Sequence, residues 1–235
     1  MNHDELPRRH DPLTFGNAIA VAELMRPNAA VGLLDERPPE LRALRDADHP
    51  TCPYYRFLYA ISHLFAPIDA IEIGTYVGTS AAHLAHGTAG KVVTIDSNPD
   101  AKAQVDALGM ANITAVTMDS TDAKEKWWDA RFDVLFIDGN HTFNQAWGEY
   151  FLYRQLVLDG GLILFDDVNL EMDGDEMNVM WDLIPEPKHR ADWLHATGFG
   201  IVQKVDKISV SVPSWAQAMK IAKPMIEARR KPNPR

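Results

Sequence analysis

At 235 residues, with 46% apolar and 24% charged side chains, the chain is long and apolar enough for one large α/β domain with a packed core, unlike disordered or fibrous proteins. Its formal charge of −10 excludes nucleic acid as the expected partner, because nucleic-acid binders present basic faces that displace counterions. The single cysteine, Cys52, rules out an intramolecular disulfide and a thiolate zinc centre. No run approaches the roughly 20 apolar residues of a membrane span and the polar start Met1–His10 has no apolar signal core, so a cytoplasmic protein with no membrane partner is expected.

Residues 1–53 are rich in Pro, Asp and Arg, carry short helical runs at Gly16–Met25 and Pro39–Ala47, and read as an N-terminal helical cap. Residues 54–235 read as the main domain. From Tyr54 the apolar residues recur at helical spacing as far as Phe65 and stop at Pro67. Five short runs rich in Val and Ile follow, at Ala70–Gly74, Lys91–Asp96, Ile113–Met118, Phe132–Asp138 and Gly161–Phe165, separated by helical or turn segments. Strands that are apolar throughout and alternate with helices imply a parallel sheet covered on both faces. Two later runs, Asp192–Ala196 and Phe199–Val205, are joined by Thr197-Gly198 and read as an antiparallel hairpin at the sheet edge. The expected fold is therefore a doubly wound, mostly parallel seven-stranded α/β sheet with an antiparallel C-terminal hairpin. A helix over Ser214–Ala228 closes it, and Arg229, Arg230, Lys231 and Arg235 read as a frayed terminus.

The segment Ile71-Glu72-Ile73-Gly74-Thr75-Tyr76-Val77-Gly78-Thr79-Ser80 joins a strand, a tight turn and a helix start. Gly74 and Gly78 allow close backbone approach to a ligand, and the helix start offers free N–H donors, which suits a carboxylate, phosphate or ribose. Asp96 ends the second strand 18 residues beyond Gly78, where a carboxylate can accept both hydroxyls of a ribose. The plainer reading is that the glycines merely permit a tight connection and Asp96 caps a helix. A nicotinamide dinucleotide is the rival guest, but Tyr76 and Thr79 break its G-x-G-x-x-G fingerprint.

Asp138 ends the fourth strand run, and Asp166 and Asp167 end the fifth. In a doubly wound sheet those ends are neighbours. Three carboxylates there would repel unless a cation joined them, and oxygen ligands suit Mg²⁺ or another divalent ion. Helix capping is the alternative use of each aspartate. His141, three residues after Asp138, could accept a proton near neutrality or orient a substrate.

The run Glu72-Ile-Gly-Thr-Tyr-Val-Gly-Thr-Ser resembles the first motif of class I S-adenosylmethionine-dependent O-methyltransferases, a Rossmann-like family, and the resemblance extends over about Tyr54–Val205. It implies that Glu72, Gly74, Tyr76, Gly78 and Ser80 line the methionine portion of S-adenosylmethionine, that Asp96 binds ribose, and that Asp119 and Ser120 flank adenine. Metal-dependent relatives of the catechol and macrolide-sugar types carry an Asp after strand four and Asp-Asp or Asp-Asn after strand five. The resemblance thus implies Asp138, Asp166 and Asp167 as the Mg²⁺ set, with Asp138 also beside the cofactor. Catechol-type relatives have a lysine where this chain has His141, so His141, with Asp138, is the expected catalytic pair. The implied reaction is metal-assisted O-methylation of a small-molecule hydroxyl, on a natural product, a sugar or a catechol-like ring, by a homodimer. Two other readings are an NAD-dependent oxidoreductase on a similar sheet and a non-catalytic S-adenosylmethionine-binding scaffold.

Other residues attract plainer readings. His83 and His86 read as surface or helix-packing side chains, and Trp127-Trp128 as core. Met172–Trp181 suits either a mobile lid or an ordinary helix.

Overall fold

The computed structural model describes residues 9–29, 35–127, 129–171, 176–206 and 212–230. In chain order the elements are α1 (Phe15–Leu24), α2 (Pro39–Arg42), α3 (Tyr54–Leu64), β1 (Ala70–Ile73), α4 (Thr79–Gly87), β2 (Val92–Asp96), α5 (Pro99–Ala107), β3 (Ile113–Thr117), α6 (Ser120–Ala123), β4 (Phe132–Ile137), α7 (Phe143–Tyr153), β5 (Val157–Asp166), α8 (Met177–Leu183), β6 (Lys188–Arg190), β7 (Phe199–Gln203) and α9 (Trp215–Arg230). Local chemistry starts several helices. The Thr14 hydroxyl accepts the Asn17 N–H at the head of α1, and Asn98 caps α5 ahead of Pro99, whose missing N–H is harmless at the first helical position.

The seven strands form one sheet in the order β3-β2-β1-β4-β5-β7-β6, with β7 antiparallel to both β5 and β6. Period-two alternation divides the strand side chains between two cores. Val134 and Phe136 of β4, with Leu162 and Leu164 of β5, pack toward α1, α3 and α4 through Val21, Phe57, Leu58 and Leu84. Leu135 and Ile137, with Ile163 and Phe165, face α7, α8 and α9 through Trp147, Tyr150, Met180 and Ala222. Helix α1 shares the first core and so packs on the sheet through Ala18, Val21 and Ala22.

Three boundaries differ from the sequence reading. The expected strand at Asp192–Ala196 is a turn, and the strand facing β7 is Lys188–Arg190. A tight Thr-Gly hairpin is prevented because this connection folds back over the end of β5: the Val168 N–H donates to the Gly198 carbonyl at 3.3 Å and the Asn169 N–H to the Thr197 carbonyl at 2.8 Å. Trp193 is drawn the other way, donating to the Ala22 carbonyl at 2.7 Å. Helix α2 stops at Arg42 rather than Ala47, because the chain turns to offer the Ala47 carbonyl to Arg37 at 2.7 Å. Strand β5 begins at Val157, earlier than Gly161, across an irregularity in its pairing with β4.

His83 is fully buried against α3 and Trp127 packs on the core. Met177, Met180 and Trp181 are buried in α8, so that part of the stretch read as lid or helix packs down on the core. Residues 172–175 of that stretch, Trp128, and Lys231 and Arg235 of the basic tail lie outside the described residues, and Arg229 of the tail is paired with Asp182 at 2.7 Å. Among the described residues no helix is long and apolar enough to cross a membrane.

Candidate active site

The sheet order reverses between β1 and β4, which opens a crevice beyond the carboxyl ends of the strands flanking β1. Ile73 of β1 is in register with Ile95 of β2 and Ile137 of β4. Each of these strands then presents its next residue at the same level, and those residues are Gly74, Asp96 and Asp138. Gly74 has φ +96°, and a Cβ there would lie 1.9 Å from the Asp138 carbonyl oxygen. Only glycine fits this contact. Asp96 pins the turn that follows: one carboxylate oxygen accepts the N–H groups of Thr75 and Tyr76, each at 3.0 Å, and the other accepts the Asn98 N–H at 2.8 Å.

A cleft of about 670 Å³ opens over these strand ends. Of the residues assigned to a cofactor from sequence, Gly74, Tyr76, Ser80, Asp96, Asp119, Ser120 and Asp138 line it together. Tyr76 stands 58% exposed at its rim. Glu72 and Gly78 do not reach the surface of the cleft. Gly78 starts α4 at φ +80° and packs against Val105 of α5, whose Cγ2 would lie 2.7 Å from an added Cβ. Alternation along β1 turns Glu72 beneath α4, where the Thr94 hydroxyl donates to it at 2.6 Å. Burial pushes its carboxyl up to about 8, against the downward pull of the Ser80 and Thr94 hydroxyls.

At the β3 end, Asp119 caps α6 through the Thr121 N–H at 2.8 Å, and hydrogen bonds from Thr121 hold its carboxyl below the ordinary range. The Ser120 hydroxyl donates to Glu149 at 2.7 Å, and Gln145 donates to both at 3.0 and 2.9 Å. Gln145 and Glu149, both in the cleft lining, are absent from the sequence assignments. A legible signal existed for Glu149, a lone acid in α7 among Ala146, Trp147, Tyr150 and Tyr153, all buried.

Beyond Asp138 lies a cluster of carboxylates and imidazoles. His141 spans two strand ends, with Nδ1 at 2.9 Å from Asp167 and Nε2 at 3.5 Å from Asp138. His195, from the β6–β7 connection, places Nδ1 at 2.7 Å from Asp166 and 3.2 Å from Asp167. The Thr197 hydroxyl donates to Asp167, whose backbone is left-handed at φ +59°. Burial opposes the charged imidazoliums, but the flanking aspartates outweigh it and raise His141 to about 10 and His195 to about 11. Burial also raises Asp138 to about 7, and it raises Asp166. Asp167 goes the other way: its burial is overcome by hydrogen bonds from His141, His195 and Thr197, which hold it below the ordinary range.

Among the described residues, donor atoms of Asp166, Asp167 and His195 lie within 4.8 Å of one another. Asp138 joins this group through the His141 ring. Asp166 is only 3% exposed, and its Oδ1 has no hydrogen-bond partner despite the close His195 nitrogen, because that contact is off the hydrogen-bond line. His141 Nε2 is likewise buried without a hydrogen bond. Buried polar atoms left in this way are unfavourable by roughly 1–3 kcal/mol each, and hard oxygens beside imidazole fit a divalent cation. The sequence reading missed His195, because the run containing it reads as an edge strand.

Residues 71–168 match the sequence model of a family described as a methyltransferase domain. No curated protein matches the chain. Among solved structures, the S-adenosylhomocysteine-bound methyltransferase PaMTH1 of Podospora anserina is 16% identical with a TM-score of 0.59, covering 72% of this chain and 89% of its own. The O-methyltransferase TomG of Streptomyces achromogenes, involved in tomaymycin synthesis and solved with S-adenosylmethionine, is 18% identical with a TM-score of 0.57 over 74% of this chain and 92% of its own. An O-methyltransferase of Bacillus cereus bound to S-adenosylhomocysteine is 19% identical with a TM-score of 0.51, over 81% and 90%. At these identities the likeness establishes the fold.

Proposed function

From the premise that residues 71–168 form a methyltransferase domain on the class I fold, we propose that this chain moves the methyl group of S-adenosylmethionine to a hydroxyl oxygen of a small molecule, with a divalent cation at the ends of β4 and β5. The observation that carries this reading is the register of β2, β1 and β4, which sets Asp96, Gly74 and Asp138 around one cleft with the Asp166–Asp167–His195 cluster behind. Gly74, Tyr76 and Ser80 would receive the methionine end, Asp96 the ribose hydroxyls, and Asp119 and Ser120 the adenine. The Asp96 oxygen that accepts the Asn98 N–H keeps a lone pair for a ribose hydroxyl, while the other already accepts two N–H groups. TomG acts in tomaymycin synthesis, which favours a natural-product acceptor here.

Asp138, Asp166 and Asp167, with His195, would hold the cation, which supplies positive charge that favours the deprotonated form of an acceptor hydroxyl. His141 takes the proton. Asp138 and Asp167 hold its imidazole protonated while nothing else shares their charge, and once that charge is shared Nε2 is the free basic atom. The chain's remaining task is positioning, since methyl transfer needs oxygen and methyl held at roughly 3–3.5 Å. Residues 1–53 serve as a cap over the domain of residues 54–235, and we read the working form as a cytoplasmic homodimer.

The test is transfer of isotope-labelled methyl from S-adenosylmethionine to a panel of catechols, sugars and phenolic natural products, with and without EDTA. Label in an ether product, lost with EDTA, supports the reading; label on nitrogen or carbon, or no label while S-adenosylmethionine binds, contradicts it. His141→Ala should lose turnover and keep S-adenosylmethionine binding; unchanged turnover removes His141 from the mechanism.

A further inference from the structure

The cation centre is richer in nitrogen than three aspartates require. His195 is not a loose surface residue: its ring meets the Tyr54 ring edge-on at 5.2 Å, and Tyr54 stacks on Phe199 at 5.7 Å. The turn carrying it is tied to the end of β5 by the two backbone hydrogen bonds from Val168 and Asn169. Gly198 permits that approach, at φ +88° with an added Cβ only 2.4 Å from Asn169 Nδ2. Packing and backbone thus both aim Nδ1 of His195 at Asp166 and Asp167.

Two features suit a shared metal ligand set. His195 Nδ1 pairs with Oδ1 of Asp166, a residue only 3% exposed, at 2.7 Å but outside hydrogen-bond geometry, so that oxygen keeps its hydrogen-bonding capacity. The donor atoms of both aspartates and His195 also fall within 4.8 Å, a spacing that one central ion can span. A second imidazole, that of His141, stands on the opposite side of Asp167 at 2.9 Å.

We propose that His195 supplies an imidazole nitrogen to the cation centre of Asp166 and Asp167, so that the site takes a first-row transition ion such as Fe²⁺, Co²⁺ or Zn²⁺ in preference to Mg²⁺. The chemical reason is donor type. Mg²⁺ favours oxygen ligands and water, whereas imidazole raises affinity for later divalent ions along the Irving–Williams order. The inference rests on the cation reading of the proposed function and specifies which ion that site selects.

The experiment is calorimetric titration of the EDTA-stripped full chain with Mg²⁺ and with Co²⁺, alongside the visible absorption of the Co²⁺ form. Co²⁺ should bind at least about 10-fold more tightly than Mg²⁺. His195→Gln, which removes the imidazole and keeps a polar side chain, should weaken Co²⁺ about 10- to 100-fold, leave Mg²⁺ nearly unchanged, and shift the Co²⁺ bands. Equal affinity for the two ions in the unaltered protein, or a variant that keeps both the preference and the bands, overturns the inference while leaving a cation-assisted transferase standing. Absence of binding by either ion, with S-adenosylmethionine still bound, overturns the cation reading itself. The comparison of the two ions in the unaltered chain needs no variant to fold.

Discussion

His83 is fully buried on α4, with Nδ1 placed to donate to the Thr79 carbonyl at 2.7 Å and Nε2 to accept from Arg37 at 3.3 Å. The tautomer follows from these partners. Arg37 in turn binds Asp35, Asp48 and the Ala47 carbonyl, so the His83 ring anchors residues 35–48 to the helix that begins at the glycine turn. Burial, together with the Arg37 charge, lowers His83 to about 4, against the upward pull of the Thr79 carbonyl. The unfolded chain takes up this proton near its ordinary value of 6.5, the folded chain only near 4. The neutral ring therefore contributes stability that is whole above 6.5 and lost as pH falls toward 4, amounting to about 3 kcal/mol in all and about 2 kcal/mol by about pH 5. The assay is urea denaturation of the unaltered protein and of His83→Gln, whose amide can both donate and accept, at about pH 7 and about pH 5. Other titrating groups are common to both proteins, so the difference between the two pH effects isolates His83. The variant should lose about 2 kcal/mol less than the parent on acidification. Equal losses would refute the reasoning.

Glu72 has the opposite sense: an acid whose folded value is about 8 weakens the fold as pH rises from its unfolded value toward 8. Glu72→Gln should therefore remove about 3 kcal/mol of the stability the parent loses between about pH 6 and pH 9, read by urea midpoints. Gly74→Ala places a methyl 1.9 Å from the Asp138 carbonyl oxygen at φ +96°; it should lower stability by about 2–4 kcal/mol and abolish S-adenosylmethionine binding, both measured on one preparation by calorimetry. Asp96→Asn turns one carboxylate oxygen that accepts backbone N–H groups into a donor, so it should weaken S-adenosylmethionine about 10-fold and lower the melting temperature as well. An unchanged affinity would remove Asp96 from the ribose site.

The central sheet was readable because β1, β2, β4 and β5 are largely apolar and end abruptly in Gly74, Asp96, Asp138 and Asp166, so strand, turn and strand end are separate signals along the chain. The C-terminal connection was not. His195 and Trp193 alternate with Asp192 and Leu194 as strand residues would, but their side chains are claimed by the β5 end and by α1, partners distant in sequence. The same limit applies to Arg37 and His83, which are 46 residues apart. The register that levels Gly74, Asp96 and Asp138 follows from pairing β1 with both β2 and β4, and no local pattern in any one strand contains it. Glu149 lies between these cases, since its place in an apolar helix marks it as unusual but its partner Ser120 comes from another element.

The most direct measurement of the account is calorimetric titration of S-adenosylmethionine into the EDTA-stripped full chain, with NAD as the control ligand and Asp96→Asn as the control protein. The account predicts one bound S-adenosylmethionine per chain, weakened in Asp96→Asn, and no binding of NAD. Binding of NAD with no heat from S-adenosylmethionine would contradict it, because the glycine turn and Asp96 would then be serving a dinucleotide.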